Sequence, residues 1–249
     1  MKKTIFFNCF LFLFFLMTLS GCKKVLDYVK VHPNGVADQC RVEQLILLPN
    51  DYFGQDTVKF IYDDLGNPTN IIYPRWYGGD VAFRYDKAHR LRSYQRNTNA
   101  VGADLWHKYN YVNSTRIIDT IFKNAHGDLT AERPDSYAEI EIRKCELDAY
   151  GRIIKVSLAD GTVLYTFEYD NRGNRIIPGT GMTSAAYTDK INIHQTNKVW
   201  MLSDYNYSVN QLGWEVAKFN KNDLPEIFND NIAVFDAIYR KCVVVYSCK

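Results

Sequence analysis

The sequence predicts an all-β protein, an antiparallel meander of roughly ten or more short strands. Three observations carry this reading. Aromatic residues make up 14% of the 249 residues, with 18 Tyr and 14 Phe, and aromatic side chains favour strands. Apolar and polar residues alternate over short runs, as half-buried strands require. One turn signature recurs with no long helical period between its copies, so hairpins connect the strands rather than parallel crossovers.

The N-terminus reads as an address. Lys2 and Lys3 precede an apolar run from Ile5 to Met17. That run is shorter than the about 20 apolar residues of a spanning helix, which points to a secretory signal. Leu19-Ser20-Gly21-Cys22 resembles the lipobox of bacterial lipoprotein signal peptides. The resemblance implies cleavage before Cys22 and lipid attachment to it. Residues 1–21 are then a cleaved signal, 22–39 a lipidated N-terminus and tether, and 40–249 a single β domain. Each buried CH₂ contributes about 0.8 kcal/mol, so two or three acyl chains hold a protein at a membrane effectively irreversibly. The expected location is the bacterial cell envelope, at the outer membrane, with the side of that membrane left open.

Loss of residues 1–21 removes two lysines, leaving 30 − 2 = 28 basic against 28 acidic residues. That balance points to no nucleic-acid partner. Four cysteines remain besides Cys22: Cys40, Cys145, Cys242 and Cys248. In an exported chain they suggest two disulfides, with three connectivities open. A Cys40–Cys248 bridge would clamp the first strand to the last, contributing roughly 4–5 kcal/mol in the chain-entropy model. Cys145–Cys242 would follow by elimination. There is no C-x-x-C and the histidines are scattered, so neither a metal nor a cofactor is expected.

Five segments share the turn signature: Tyr62-Asp63-Asp64-Leu65-Gly66-Asn67, Tyr85-Asp86-Lys87-Ala88-His89-Arg90, Leu147-Asp148-Ala149-Tyr150-Gly151-Arg152, Tyr169-Asp170-Asn171-Arg172-Gly173-Asn174 and Phe219-Asn220-Lys221-Asn222-Asp223-Leu224. An apolar residue ends the incoming strand. Asp or Asn then accepts backbone N–H groups and starts the turn. Three residues later Gly supplies a positive φ, and His89 and Asp223 replace it with types that tolerate this conformation. Tyr111 to Arg116 is a sixth candidate without the Asp. Asp160-Gly161 marks a further hairpin. On the strand before Asp148, Ile140 and Ile142 are expected inward and Glu139, Glu141 and Arg143 outward. With Lys155 and Glu168, those outward charges argue against a lipid-facing barrel.

The stretch Glu146 to Ile176 resembles two successive YD repeats, the Tyr-Asp units of Rhs-type proteins. The mature chain resembles the YD-repeat-like lipoproteins of Bacteroidota, a domain of unknown function with a porin-like antiparallel β fold. Gly173-Asn174, the irregular stretch Thr180 to Trp200, Ser208-Val209-Asn210 and Phe219-Asn220 to Pro225 carry that second resemblance. Asp56-Thr57-Val58 and Asp119-Thr120-Ile121 resemble O-glycan acceptor tripeptides of such envelope proteins.

Many strands seldom stay flat and open, so the sheet is expected to be curled or closed into a barrel-like form. Cys40 to Leu48 and Cys242 to Cys248 are the pair that would close it. One irregular or short helical insertion is expected near 180–205, either as a packing plug or, with the Asn97–Asp104 loop, as a site. No catalytic constellation is present in the sequence. Trp76 and Tyr77, near a hairpin tip, are candidates for stacking on a ligand, with core packing as the plainer alternative. The expected function is a non-catalytic envelope scaffold that binds a partner protein or a glycan. A barrel holding a small apolar or sugar ligand and a glycan hydrolase are the alternatives. Cys22→Ala is expected to leave an unlipidated precursor that fails to anchor; membrane retention of that variant after high-salt and carbonate washes would contradict the lipobox.

Overall fold

The computed structural model describes residues 40–248 apart from 51, 75–78, 97–104, 129–130, 132, 178–182, 231 and 236. The signal, Cys22, the tether, Trp76, Tyr77, the Asn97–Asp104 loop and Gly179 to Gly181 lie outside the described residues. The first strands are β1 (Cys40–Leu47), β2 (Asp56–Tyr62), β3 (Pro68–Ile72), β4 (Val81–Tyr85), β5 (Leu91–Arg96) and β6 (Leu105–Asn113). Next come β7 (Arg116–Lys123), β8 (Glu139–Leu147), β9 (Ile153–Leu158), β10 (Val163–Thr166), β11 (Glu168–Tyr169) and β12 (Arg175–Ile176). The chain continues through β13 (Tyr187–Ile191), helix α1 (Lys198–Ser203), β14 (Asn210–Leu212), β15 (Val216–Phe219) and β16 (Pro225–Phe228). It ends in β17 (Ile232–Val234), β18 (Ala237–Tyr239) and β19 (Cys242–Cys248).

Thirteen strands form one antiparallel sheet in the order β10-β9-β8-β7-β6-β5-β4-β3-β2-β1-β19-β16-β15. First and last strands pair as expected, with Cys40 opposite Cys248 and Leu47 opposite Cys242. That pairing does not close a barrel. Strand β19 takes β16 as its second neighbour, and β15 lies beyond it. Pairing β1 with β19 therefore places both inside the sheet and, among the described residues, leaves β10 and β15 as its edges. The Cys40–Cys248 disulfide spans 208 residues and fastens this central pair. Cys145 and Cys242 are free and buried, which corrects the pairing expected by elimination. They sit on β8 and β19, with seven strands between them in the sheet order.

The sheet curls around one core that takes residues from β1 to β9 together with Ile193, Trp200 and Phe235. The insertion supplies the filling. Asn192 and Asn197 cap a 3₁₀ turn (Ile193–Thr196) and α1 by accepting the N–H groups of His194 and Val199. Trp200 then lies edge-on to Phe60 at 5.7 Å and Phe83 at 5.6 Å, with Phe235 at 4.7 Å. The plug reading of this segment holds, on the concave side of an open sheet rather than over a barrel mouth.

All five signature turns have one geometry. Asp63, Asp86, Asp148, Asp170 and Asn220 each accept, through Oδ1, the N–H groups two and four residues on. Each backbone carbonyl of these residues also accepts the N–H three residues on. The third residue has positive φ throughout: Gly66 85°, His89 58°, Gly151 77°, Gly173 83° and Asp223 60°. This is a type I turn closed by a left-handed residue. At Gly173 a Cβ would also meet Val209 Cγ2 at 3.0 Å. There the turn docks on the Ser208-Val209-Asn210 segment, and Asn174 and Asn210 exchange two hydrogen bonds at 3.0 and 2.7 Å.

A second contact repeats with the turn. The carbonyl five residues after each turn Asp or Asn accepts a tyrosine hydroxyl from a later strand. Tyr85 donates to Pro68 at 2.6 Å, Tyr111 to Leu91 at 3.0 Å, Tyr169 to Ile153 at 3.0 Å, Tyr187 to Arg175 at 2.6 Å and Tyr246 to Pro225 at 2.8 Å. Tyr62 makes the same bond to Val42 at 2.7 Å. Burial raises the Tyr111 hydroxyl to about 12, and it also raises the Tyr62, Tyr85, Tyr169, Tyr187 and Tyr246 hydroxyls above the ordinary phenol value, so all remain donors at neutral pH.

The turns also make stability depend on pH. Burial opposes the charge at Asp63, Asp86 and Asp170, but their hydrogen bonds outweigh it, and each sits below the ordinary carboxylate pKa. Depressed acids stabilise the fold above the unfolded value of about 3.9 and lose that contribution as pH falls through the lower native value. Stability against urea is therefore expected to fall steeply on acidification from about pH 4, with a shallower slope for Asp86→Asn. An unchanged slope in that variant contradicts this account.

Candidate functional site

Strand register assembles a polar cluster on the inner face of β5 to β8. One cross-strand row holds Tyr94, His107, Ile121 and Glu141; the next holds Tyr109, Asp119 and Arg143. Residues two apart share a face, and Ile117, Ile121 and Cys145, all buried, identify this one as inward. The phase of β8 is thus opposite to expectation: Glu141 and Arg143 face in, while Ile140 and Ile142 face out, 42% and 40% exposed. A shift of one residue exchanges the faces of a strand. Buried Cys145 sets the parity, and the two isoleucines mislead.

At the base of the cluster lies Asp119. Its Oδ2 accepts the Tyr205 hydroxyl at 3.3 Å and stands 3.0 Å from His107 Nδ1. A carboxylate only accepts, so Nδ1 of His107 is the donor in this contact and Nε2 is the ring nitrogen left over. Nε2 takes no hydrogen bond from a described residue. The His107 ring stacks on Tyr94 with centroids 4.4 Å apart and planes 9° from parallel.

Toward the ends of β7 and β8 the cluster opens. Arg143 Nε donates to Glu141 at 2.6 Å, and Lys123 Nζ donates to Glu141 at 2.7 Å and to Glu139 at 3.1 Å. Side-chain exposure rises from 0% at Asp119 through 10% at His107 and 23% at Arg143 to 61% at Glu139. The hydrogen bond from Lys123, with help from Arg143 and against burial, holds Glu141 below the usual carboxylate range. Tyr205 donates to Asp119 and lies beside Arg143. Its ring lies 6.4 Å from that of Tyr165, which is 49% exposed on edge strand β10.

A second polar group, His194 with Asn192 at 2.7 Å and Asp204 at 2.7 Å, is closed. Asp204 Oδ2 also accepts the Phe235 N–H, which ties the insertion to β17. Burial pushes the Cys145 and Cys242 thiols up to about 12, so neither is a thiolate nucleophile at neutral pH. Among the described residues no group of three or more His, Cys, Asp or Glu is placed to hold a metal ion.

The structure brings the sequence-predicted Tyr62, Asp63, Gly66, Tyr85, Asp86, Asp148, Gly151, Tyr169, Asp170, Gly173 and Asn220 together as structural turns and staples. His107, Asp119, Glu141, Arg143 and Tyr205 were not singled out as a site. One signal was available: Ile117-x-Asp119-x-Ile121 places an acid in the buried phase of a strand. Asp119 instead entered as the first residue of an acceptor tripeptide. The family model described as RHS Repeat matches residues 148–188, which hold the Asp148 and Asp170 turns. A search of curated proteins finds no match. The chain is thus a β-rich repeat protein, and its remaining turns carry the same geometry outside the matched stretch. Asp119→Ala is expected to cost at least about 2 kcal/mol, from two lost hydrogen bonds and a cavity, and Asp119→Asn less; urea unfolding within 0.5 kcal/mol of wild type for Asp119→Ala contradicts this, since about that much is ordinary for an inert substitution.

Proposed function

We propose that this chain is a lipid-anchored envelope protein, non-catalytic, whose β scaffold binds a glycan or a protein partner. One observation carries the reading. Most clustered polar side chains serve the fold, in turns, staples and the closed His194 network, whereas the cluster from His107 to Glu139 stays partly open. Its place on the inner face, with exposure rising from Asp119 to Glu139, suits a small polyhydroxylated ligand better than a flat protein surface. Glu141 is held ionised by its salt bridges, and Asp119 is enclosed by His107 and Tyr205. Glu141, held below the usual carboxylate range, is no proton donor, which favours binding over hydrolysis. An apolar ligand in the lumen is disfavoured because Trp200 and Phe235 occupy it.

The lipobox at Cys22 supports the anchor. The sheet edges at β10 and β15 support a domain outside the hydrocarbon layer, where unpaired backbone groups are too costly. Thermal unfolding of the full chain, screened against a broad panel of soluble glycans, is expected to rise with at least one of them. Ligand at 100 times Kd adds about 2.7 kcal/mol of stability. A flat response across the panel, with no envelope protein captured by crosslinking in intact cells, contradicts the proposal.

A further inference from the structure

We infer that the inner-face cluster is a binding site for a neutral saccharide, held by Tyr165, Arg143, Glu141 and the Nε2 atom of His107. The inference rests on the binding reading above and names its ligand class. Four features point the same way.

His107 is the first. Its side chain is nine-tenths buried, its Nδ1 is committed to Asp119, and its Nε2 faces no described partner. Stacking on Tyr94 fixes the ring plane. Such a nitrogen can hydrogen-bond a ligand hydroxyl, which both donates and accepts. The second is the Arg143–Glu141 pair on the same strand face, a planar donor fork beside a carboxylate. Together they offer a donor and an acceptor to vicinal hydroxyls.

The third is an exposed aromatic platform. Tyr165 is half exposed and its ring stacks near-parallel on Phe167, 6.0 Å away at 9°. Tyr205 joins this platform to the polar base, since it contacts Tyr165, Arg143 and Asp119. An aromatic face beside a few directional polar groups matches a pyranose, which presents C–H faces and hydroxyl edges. From His107 on β6 to Tyr165 on β10 the site spans four inter-strand spacings, about 19 Å, the reach of a short oligosaccharide rather than of one ring.

Charge selects the class. Lys123 and Arg143 stand against Glu139, Glu141 and Asp119, and both cations already hold carboxylates. Two cations against three carboxylates leave the described cluster with an excess of negative charge, which disfavours uronates and sulfated sugars.

The test uses the full chain in a polyoxyethylene detergent, which carries no sugar headgroup. An array of neutral and acidic glycans identifies the best ligand, and titration calorimetry compares it across variants. A neutral glycan is expected to bind, with at least tenfold loss in Tyr165→Ala and in His107→Gln. Tyr165→Ala should unfold at the wild-type temperature. If His107→Gln does not fold, Tyr165→Ala decides, because its ring is exposed. Unchanged affinity in Tyr165→Ala places the ligand elsewhere and overturns the site while the binding function stands. Preference for acidic glycans overturns the class. No binding across the array overturns the inference, and crosslinking to a protein partner then separates that failure from failure of the binding function itself.

Discussion

The structure depends on a bond between a tyrosine hydroxyl and a backbone carbonyl, made once per repeat. After each turn the two neighbouring strands are not yet in ladder register. Asn70 is the first residue of β3 paired with β4, Ser93 the first of β5 paired with β6, and Ile227 the first of β16 paired with β19. In each case the stapled carbonyl, of Pro68, Leu91 or Pro225, lies two residues earlier. It would otherwise face away from the ladder, half buried and unpaired, at a cost of about 1–3 kcal/mol. The hydroxyl satisfies it and fastens a strand end to the turn of the unit before. Arginine at the fourth position strengthens the joint twice. Arg90 and Arg152 hold their own turn Asp at 2.8 Å and lie over the rings of Tyr111 and Tyr169 at 4.3 and 3.9 Å.

This joint explains why the turns can vary while the sheet persists. Turn and next strand are coupled, so a unit with His89 or Asp223 in place of Gly keeps its neighbour in position. Repetition of the joint produces a long curled sheet, and the insertion fills its concave side instead of a closing seam. The Cys40–Cys248 bridge then reinforces the middle of the sheet, where the two ends of the domain pair. Curling also creates the polar cluster: Asp119 and His107 face a crowded interior near Tyr205, whereas Glu139 and Lys123 reach its open margin.

Much of this was legible in the sequence, because turn chemistry is local. The Asp-to-Gly spacing placed five turns, and the left-handed positions at His89 and Asp223 followed from residue type alone. Pairing of first strand with last was also legible. What failed depends on distant neighbours. Whether the sheet closes turns on which strand takes the second edge of β19, and nothing local to β16 states it. The partner of Cys145 was assigned by counting, without the sheet order that separates it from Cys242. On β8, alternation is equally regular in either phase, and apolar Ile140 and Ile142 concealed that Glu141 and Arg143 belong inside. Tyr205 reaches Asp119 across 86 residues of sequence, beyond any local pattern.

The most direct measurement is the unfolding free energy of single Tyr→Phe variants at positions 85, 111, 169 and 246, with Tyr165→Phe as the control whose hydroxyl staples no carbonyl. Each staple variant keeps its ring and loses only the bond. The account predicts a loss of about 1 kcal/mol or more at each of the four, additive between distant pairs, and no loss at Tyr165. Wild-type stability in the four, or a loss no larger than at Tyr165, would contradict it.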